Sequence, residues 1–274
     1  MLNTRLQDIL NIPYPILQGG MAWAADGVLA AAVSEGGGLG IIGAGNWSPE
    51  EVKNQIRRAR SLTSRPFGLN IMLLSPYAAE IAALAVAEGV AVVTTGAGSP
   101  APYMAAWLEA GVRVLPVVAS VAQAKKMARS GAAAVIAEGT ASGGHIGELT
   151  TMALVPQVCD AVEIPVIAAG GIADGRGLAA ALMLGAAGVQ AGTVFLAAKE
   201  CAVHENYKAR LLKAGDLETI VTGRQLGHPV RSLRSPFARA YAKAEQEGVC
   251  QEQVEVLGSG ALRKAVVDGD AEQG

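Results

Sequence analysis

Short apolar runs bounded by glycine or proline alternate along most of this chain with single alanine-rich stretches of helical period, and that rhythm leaves few folds open. The runs are Pro13 to Gly19, Leu39 to Gly43, Pro66 to Leu73, Val90 to Gly96, Arg113 to Ala119, Ala134 to Gly139, Pro165 to Gly171 and Gly188 to Phe195. Between them the spacing predicts helices over Asp26 to Glu35, Pro49 to Leu62, Ala78 to Glu88, Ala101 to Ala110, Val121 to Ser130, Thr150 to Val162 and Gly175 to Leu184. Ser48-Pro49-Glu50-Glu51 is a clear start signal: serine caps, proline suits the first turn, and the carboxylates face the positive helix end. Strands joined through single helices pair in parallel by right-handed crossovers. Eight such units close most naturally into an α/β fold of the (β/α)8 TIM barrel type, for which 274 residues is an ordinary length.

The tail breaks the rhythm. Cys201 to Ala214 reads as a charged helix, Thr222 to Pro236 as irregular and basic, and Pro236 to Glu247 as helical again. The expectation is a barrel over 1–195 and, over 196–274, a small cap or lid inserted after the last strand, followed by an incomplete helical return to the barrel. The composition agrees with a parallel sheet under alanine-rich helices: 51% hydrophobic but 4% aromatic, with 34 glycines. A formal charge of -2 gives no electrostatic reason to expect nucleic acid or an anionic membrane as partner. Cys159, Cys201 and Cys250 lie far apart, without a Cys-x-x-Cys pair, and read as reduced thiols of a cytoplasmic protein rather than as disulfides or metal ligands. Neither a signal peptide nor a membrane span is expected.

In such a barrel only the loops at the carboxyl ends of strands reach the active face. Those positions hold Gln18-Gly19-Gly20-Met21, Asn70, Thr94-Thr95-Gly96-Ala97-Gly98, Glu138 with the loop to His145, Ala169-Gly170-Gly171-Ile172 and Gln190-Ala191-Gly192-Thr193. The stretch from Glu138 to Gly147 sets one imidazole on a glycine-rich loop after an apolar run, which is a place for chemistry. Gly170-Gly171 and Ala191-Gly192-Thr193 fit a phosphate site, where backbone N–H groups and a helix end meet an anion. Gly38-Leu39-Gly40-Ile41-Ile42-Gly43 matches the dinucleotide fingerprint but lies within a strand instead of opening a helix, so it reads as close strand packing. Asn70 needs a partner, either a polar ligand edge or a neighbouring strand. Glu138 needs a polar ligand or a paired lysine. Met21 and Met72, by residue type alone, read as core filler rather than as cofactor contacts.

Taken in order, five motifs closely resemble the FMN-dependent enoyl-acyl-carrier-protein reductases of the FabK type, within the nitronate monooxygenase or 2-nitropropane dioxygenase-like superfamily. They are Gln18-Gly19-Gly20-Met21-Ala22-Trp23, Gly37 to Gly43, Asn70-Ile71-Met72-Leu73-Leu74-Ser75-Pro76, Gly143-Gly144-His145-Ile146-Gly147 and Ala168 to Gly175. The resemblance implies FMN at the barrel mouth, NADH or NADPH as electron donor, room for a monovalent cation, and reduction of the trans-2 double bond of an acyl chain on acyl carrier protein. It would lay Gly20 and Met21 along the flavin, Asn70 on its polar edge, and Glu138, Gly143 and Gly144 near the ring or ribityl chain. Gly170, Gly171, Ala191, Gly192 and Thr193 would cradle the phosphate. His145 would be catalytic, as proton donor or as hydrogen-bond donor to the thioester oxygen. A homodimer is also implied, and Arg224, Arg231, Arg234 and Arg239 are candidates for meeting acyl carrier protein or nicotinamide phosphates. Members of that family continue past the segment Gly258 to Asp270, whereas this chain ends at Gly274. The alternatives are a nitronate monooxygenase, a non-catalytic flavin- or phosphate-binding barrel, and an IMP dehydrogenase-like barrel; for the last, no cysteine sits on a suitable loop.

Overall fold

A computed structural model describes residues 4–250, 253, 256, 258, 260–270 and 272–274. Eight parallel strands form one sheet: β1(Ile16–Gln18), β2(Ile41–Gly43), β3(Gly68–Met72), β4(Val92–Gly96), β5(Arg113–Val118), β6(Val135–Glu138), β8(Val166–Ala169) and β9(Gly188–Ala191). Helices α2(Gly27–Glu35), α3(Pro49–Leu62), α4(Ala78–Ala87), α5(Ala101–Glu109), α6(Val121–Arg129), α7(Thr151–Cys159) and α8(Gly175–Met183) connect them on the outside. β1 pairs with β9, and a single parallel bridge, Leu17 to Leu39, joins it to the segment entering β2, so the sheet closes into a (β/α)8 TIM barrel.

That last seam is held by a side chain. Gln18, fully buried, accepts from Ile41 N–H through Oε1 and donates through Nε2 to Ile41 O, both at 3.1 Å, as a peptide group of a longer strand would. Close packing of helix and strand backbone accounts for two glycines of the fingerprint-like run: a methyl group at Gly40 would lie 1.8 Å from Ala30 O on α2, and one at Gly38 2.7 Å from Ile16 O on β1.

Two layers of core follow from the period-2 strands. Leu17, Leu39, Ile41, Val92, Leu115, Ile136 and Ile167 fill the barrel, and Leu6 and Leu10 of the short helix α1(Arg5–Leu10) join that cluster. Outside, Val52 and Ile56 of α3, Ile81 of α4 and Trp107 of α5 pack on Ile42, Leu69, Ile71, Val93 and Val114. Each such aliphatic side chain contributes on the order of 2 kcal/mol by leaving water. Trp107 also donates its indole N–H to Ala82 O at 3.0 Å.

After β9 the chain makes the one-turn helix α9(Thr193–Leu196), α10(Glu205–Lys213), a hairpin of β10(Thr219–Thr222) and β11(Val230–Leu233), and α11(Pro236–Gln246). β11 also pairs with β7(Gly144–His145), giving a small antiparallel sheet in the order β10-β11-β7. A final helix, Ala261–Val266, packs Ala265 and Val266 on Ala24, Ala25, Leu29, Cys201 and Val203.

Three expectations change. The eighth strand ends at Ala191, because Gly192 caps a helical turn over Thr193–Leu196. The basic segment read as irregular contains β11, made regular by pairing on both sides. The loop carrying His145 is itself strand-paired, as β7.

Candidate active site

Apart from Asn70, which lies in the middle of its strand, the residues expected to hold the cofactor or to react sit at or beyond the carboxyl ends of barrel strands. Gly20 and Met21 follow β1, Asn70 lies in β3, Glu138 ends β6, Gly143 precedes β7, and Gly170 and Gly171 follow β8. Ala191 ends β9, Gly192 caps α9, and Thr193 opens that helix.

Gly20 and Asn70 are locked together: a methyl group on Gly20 would lie 2.1 Å from Asn70 Cβ. One end of the Asn70 amide bonds Thr94 Oγ1 on β4 at 3.0 Å, so the neighbouring strand supplies a partner and the other end is left for a second. Met21 Sδ lies 3.5 Å from where a Gly192 methyl would stand, which joins the first and last strands at the mouth. Gly170 and Gly171 take left-handed backbone (φ 102° and 75°) that other residues adopt only with strain. Thr151 Oγ1 donates to Gly170 O at 2.9 Å and pins this turn.

The two helix ends near the glycine loops differ. Asp174 already caps α8, accepting from Arg176 N–H (2.9 Å) and Gly177 N–H (3.1 Å) and pairing with the Arg176 guanidinium. α9 has glycine at its cap and no side-chain cap, so its leading N–H groups suit an anion.

Glu138 is enclosed, and burial pushes its carboxyl up to about 7, with the Ser142 hydroxyl pulling the other way. No ion pair among the described residues includes Glu138, so the paired-lysine expectation is not met. A carboxyl half-protonated near neutrality can both donate and accept a hydrogen bond. His145 is exposed at the mouth, yet desolvation by the surrounding protein, followed by the charge of His228, lowers its pKa below the usual imidazole value.

The cap is stitched to this loop. Ile146 N–H donates to Pro229 O at 2.9 Å, Arg231 Nε donates to Thr140 O at 3.2 Å, and Arg224 pairs with Glu148 at 3.8 Å. Arg231 and Arg224 are thereby engaged within the chain. Sequence reasoning left Thr151 and Ser142 off the site, and set His228 near the mouth only as part of the cap. Ser142 lay in the glycine-rich loop already singled out, and that position was its only signal.

A barrel whose mouth gathers glycine loops, an uncapped helix end, a near-neutral carboxyl and an imidazole has the build of an enzyme that holds a phosphate-bearing cofactor. A family model described as nitronate monooxygenase matches residues 3–274, and the chain belongs to that family of flavin-dependent oxidoreductases. Among solved structures, FabK from Thermotoga maritima is 53% identical and superposes with a TM-score of 0.97, covering 100% of this chain and 88% of that one. The (3aS,4S,5R,7aS)-5-hydroxy-7a-methyl-1-oxo-octahydro-1H-indene-4-carboxyl-CoA dehydrogenase of Mycobacterium tuberculosis is 41% identical over 237 residues, which is 85% of this chain and 67% of that protein. A probable nitronate monooxygenase of Staphylococcus saprophyticus is 33% identical, covering 90% of this chain and 82% of that protein. No helix among the described residues is long and apolar enough to cross a membrane.

Proposed function

We propose that the chain is an FMN-dependent enoyl-acyl-carrier-protein reductase: it reduces the trans-2 double bond of an acyl thioester at the expense of NADH or NADPH and a proton. The likeness to FabK, which runs over the whole of the given chain, carries this reading. The Mycobacterium tuberculosis relative, named for a carboxyl-CoA compound, supports a thioester substrate.

The residues present fit FMN. The uncapped N-terminus of α9, with Ala191, Gly192 and Thr193, and the Gly170-Gly171 turn would take its phosphate. The free end of the Asn70 amide and the Glu138 carboxyl would meet its polar edge, with Gly20, Met21, Gly143 and Gly144 along it. Bound there, FMN supplies two-electron, hydride-level redox chemistry between nicotinamide and the β-carbon of the enoyl chain.

His145 would serve the thioester end. The lowered pKa favours the neutral imidazole with its one N–H, which suits hydrogen bonding to the thioester oxygen as enolate charge grows more than it suits delivery of a proton from imidazolium. The antiparallel cap would limit access of water and oxygen to the mouth.

A second reading, oxidation of nitronates with oxygen, draws on the family match and on the Staphylococcus saprophyticus relative. A neutral imidazole is equally a free base for a nitroalkane proton. Anaerobic stopped-flow separates the two. Under the enoyl reading, NADH or NADPH bleaches the flavin-loaded protein and crotonyl thioester restores its colour. Bleaching by a nitronate alone would move the chain to the second reading.

A further inference from the structure

Glu245 occupies the buried stripe Ala238, Tyr241, Glu245 of α11 and is 7% exposed. A carboxylate buried at such a position must be matched by donors. Two backbone donors for it come from one turn of the cap. Oε2 accepts from Gly223 N–H at 2.9 Å, Oε1 from Gln225 N–H at 3.4 Å, and the Gln225 side chain donates back to Glu245 O. The turn is tight: His228 N–H donates to Gly223 O at 3.1 Å, and Gly223 and Gly227 both adopt left-handed backbone (φ 76° and 72°).

The same turn leads directly into the segment that holds the reactive loop. Pro229 O accepts from Ile146 N–H at 2.9 Å, and Val230 and Arg231 stand opposite His145 and Gly144 in the sheet. Thr140 and Ser142 are tied at the base of the loop by Leu149 O and Gly139 O, but around the two glycines before His145 there is open space. A methyl group at Gly144 would meet nothing within 4 Å, and one at Gly143 only Arg231 O, at 4.0 Å. The two residues of β7 take their register from β11, and β11 emerges from the turn that Glu245 clamps.

We propose that Glu245 is a positioning residue for His145: its buried carboxylate fixes the turn over 223–228, and the turn, through Pro229 to Arg231, fixes the strand carrying the imidazole. The consequence for catalysis rests on the reading of His145 above; the mechanical link does not.

The test is Glu245→Gln, which keeps the size but loses an acceptor, set beside Glu247→Gln, an exposed neighbour paired with Lys243 at 3.6 Å. Two measurements on the flavin-loaded protein need no substrate: amide hydrogen exchange by mass spectrometry, and the rate at which diethyl pyrocarbonate modifies His145. In Glu245→Gln, exchange should speed by about tenfold or more over both 219–233 and 143–147, with β4 to β6 unchanged. Modification of His145 should quicken several-fold, and Glu247→Gln should match the parent in both.

Faster exchange in 219–233 with 143–147 still protected would overturn the proposal, since the carboxylate would then support the cap alone. Parent-like exchange in both segments would overturn it too. Should Glu245→Gln not fold, Gly223→Ala strains the same turn with Glu245 intact, because its methyl group would lie 2.5 Å from His228 O. It must produce the same coupled loosening. In turnover, if enoyl reduction is the reaction, Glu245→Gln should lower kcat by about tenfold or more while the KM for the nicotinamide stays put. Unchanged kcat alongside loosened exchange would break the catalytic consequence only.

Discussion

Gly20 and Gly143 are both glycines at the same end of one barrel, yet a methyl group on the first would lie 2.1 Å from Asn70 Cβ and on the second no nearer than 4.0 Å from Arg231 O. The contrast extends to the regions around them. On the wall formed by β1, β3 and β4, Gly20 is packed against Asn70, and Asn70 is tied to Thr94 on the next strand. The loop from Gly143 to His145 hangs on a cap through backbone pairing, with open space around it. One side of the mouth is built to hold a fixed group, the other to present a side chain whose setting can be adjusted. Site glycines therefore need separate arguments even within one mouth.

Four substitutions press on that contrast. The largest effect is expected from His145→Ala: steady-state enoyl reduction should fall by about 10² to 10⁴, while flavin affinity and thermal stability stay at parent values. A drop in flavin affinity instead would place His145 in the rigid wall. Gly20→Ala should do the reverse, costing about 3 kcal/mol or more in denaturant melts and weakening FMN in a fluorescence titration, because Asn70 must leave its place. Parent-like binding there would mean the wall is softer than its packing says.

Glu138→Gln tests the electrostatics between the two regions. The Glu138 carboxyl titrates near 4.5 when unfolded and is raised to about 7 by burial, so the folded protein holds this proton more tightly. Its contribution is greatest below pH 4.5 and fades as pH rises through 7, a swing of roughly 3 kcal/mol at most. Flavin-free melts at pH 5 and pH 8 should therefore show a pH-dependent loss in the parent that Glu138→Gln removes. Equal slopes would mean the carboxyl is better solvated than its burial indicates. The smallest effect belongs to Gly143→Ala, expected within about 0.5 kcal/mol of the parent in the same melts.

The barrel was legible because its signals are local. Each strand run was bounded by glycine or proline, and Ser48, Asp26, Ser120 and Asp174 all cap the helices they precede. Gly38 and Gly40 were rightly separated from a nucleotide fingerprint, since their neighbours are strand and helix backbone. The cap sheet was not legible. β7 is two residues long, β10 and β11 are part-exposed along their length, and seven residues separate them, so neither alternation nor a short hairpin turn marked the pairing. Thr193 to Phe195 read as strand because threonine, valine and phenylalanine favour it; Gly192 and the turn out of the barrel decided otherwise. Glu245 carried a faint signal, a carboxylate seven residues after Ala238 on an apolar stripe, visible only once the helix face is known.

The seam at β1 has a bearing on how the molecule comes into being. Ile16 to Gln18 pair with Val189 to Ala191, near the other end of the barrel, and reach β2 by one bridge and the Gln18 amide. A strand made among the first must wait for one made almost last, and such long-range closure is slow because a large loop of chain has to be ordered before the contact rewards it. Gly20 and Met21 sit just past that strand, and Met21 meets Gly192 just past its partner. On the proposed placement of FMN, the wall beside it is complete only once this seam has formed, so the appearance of cofactor affinity during refolding should time the closing of the ring.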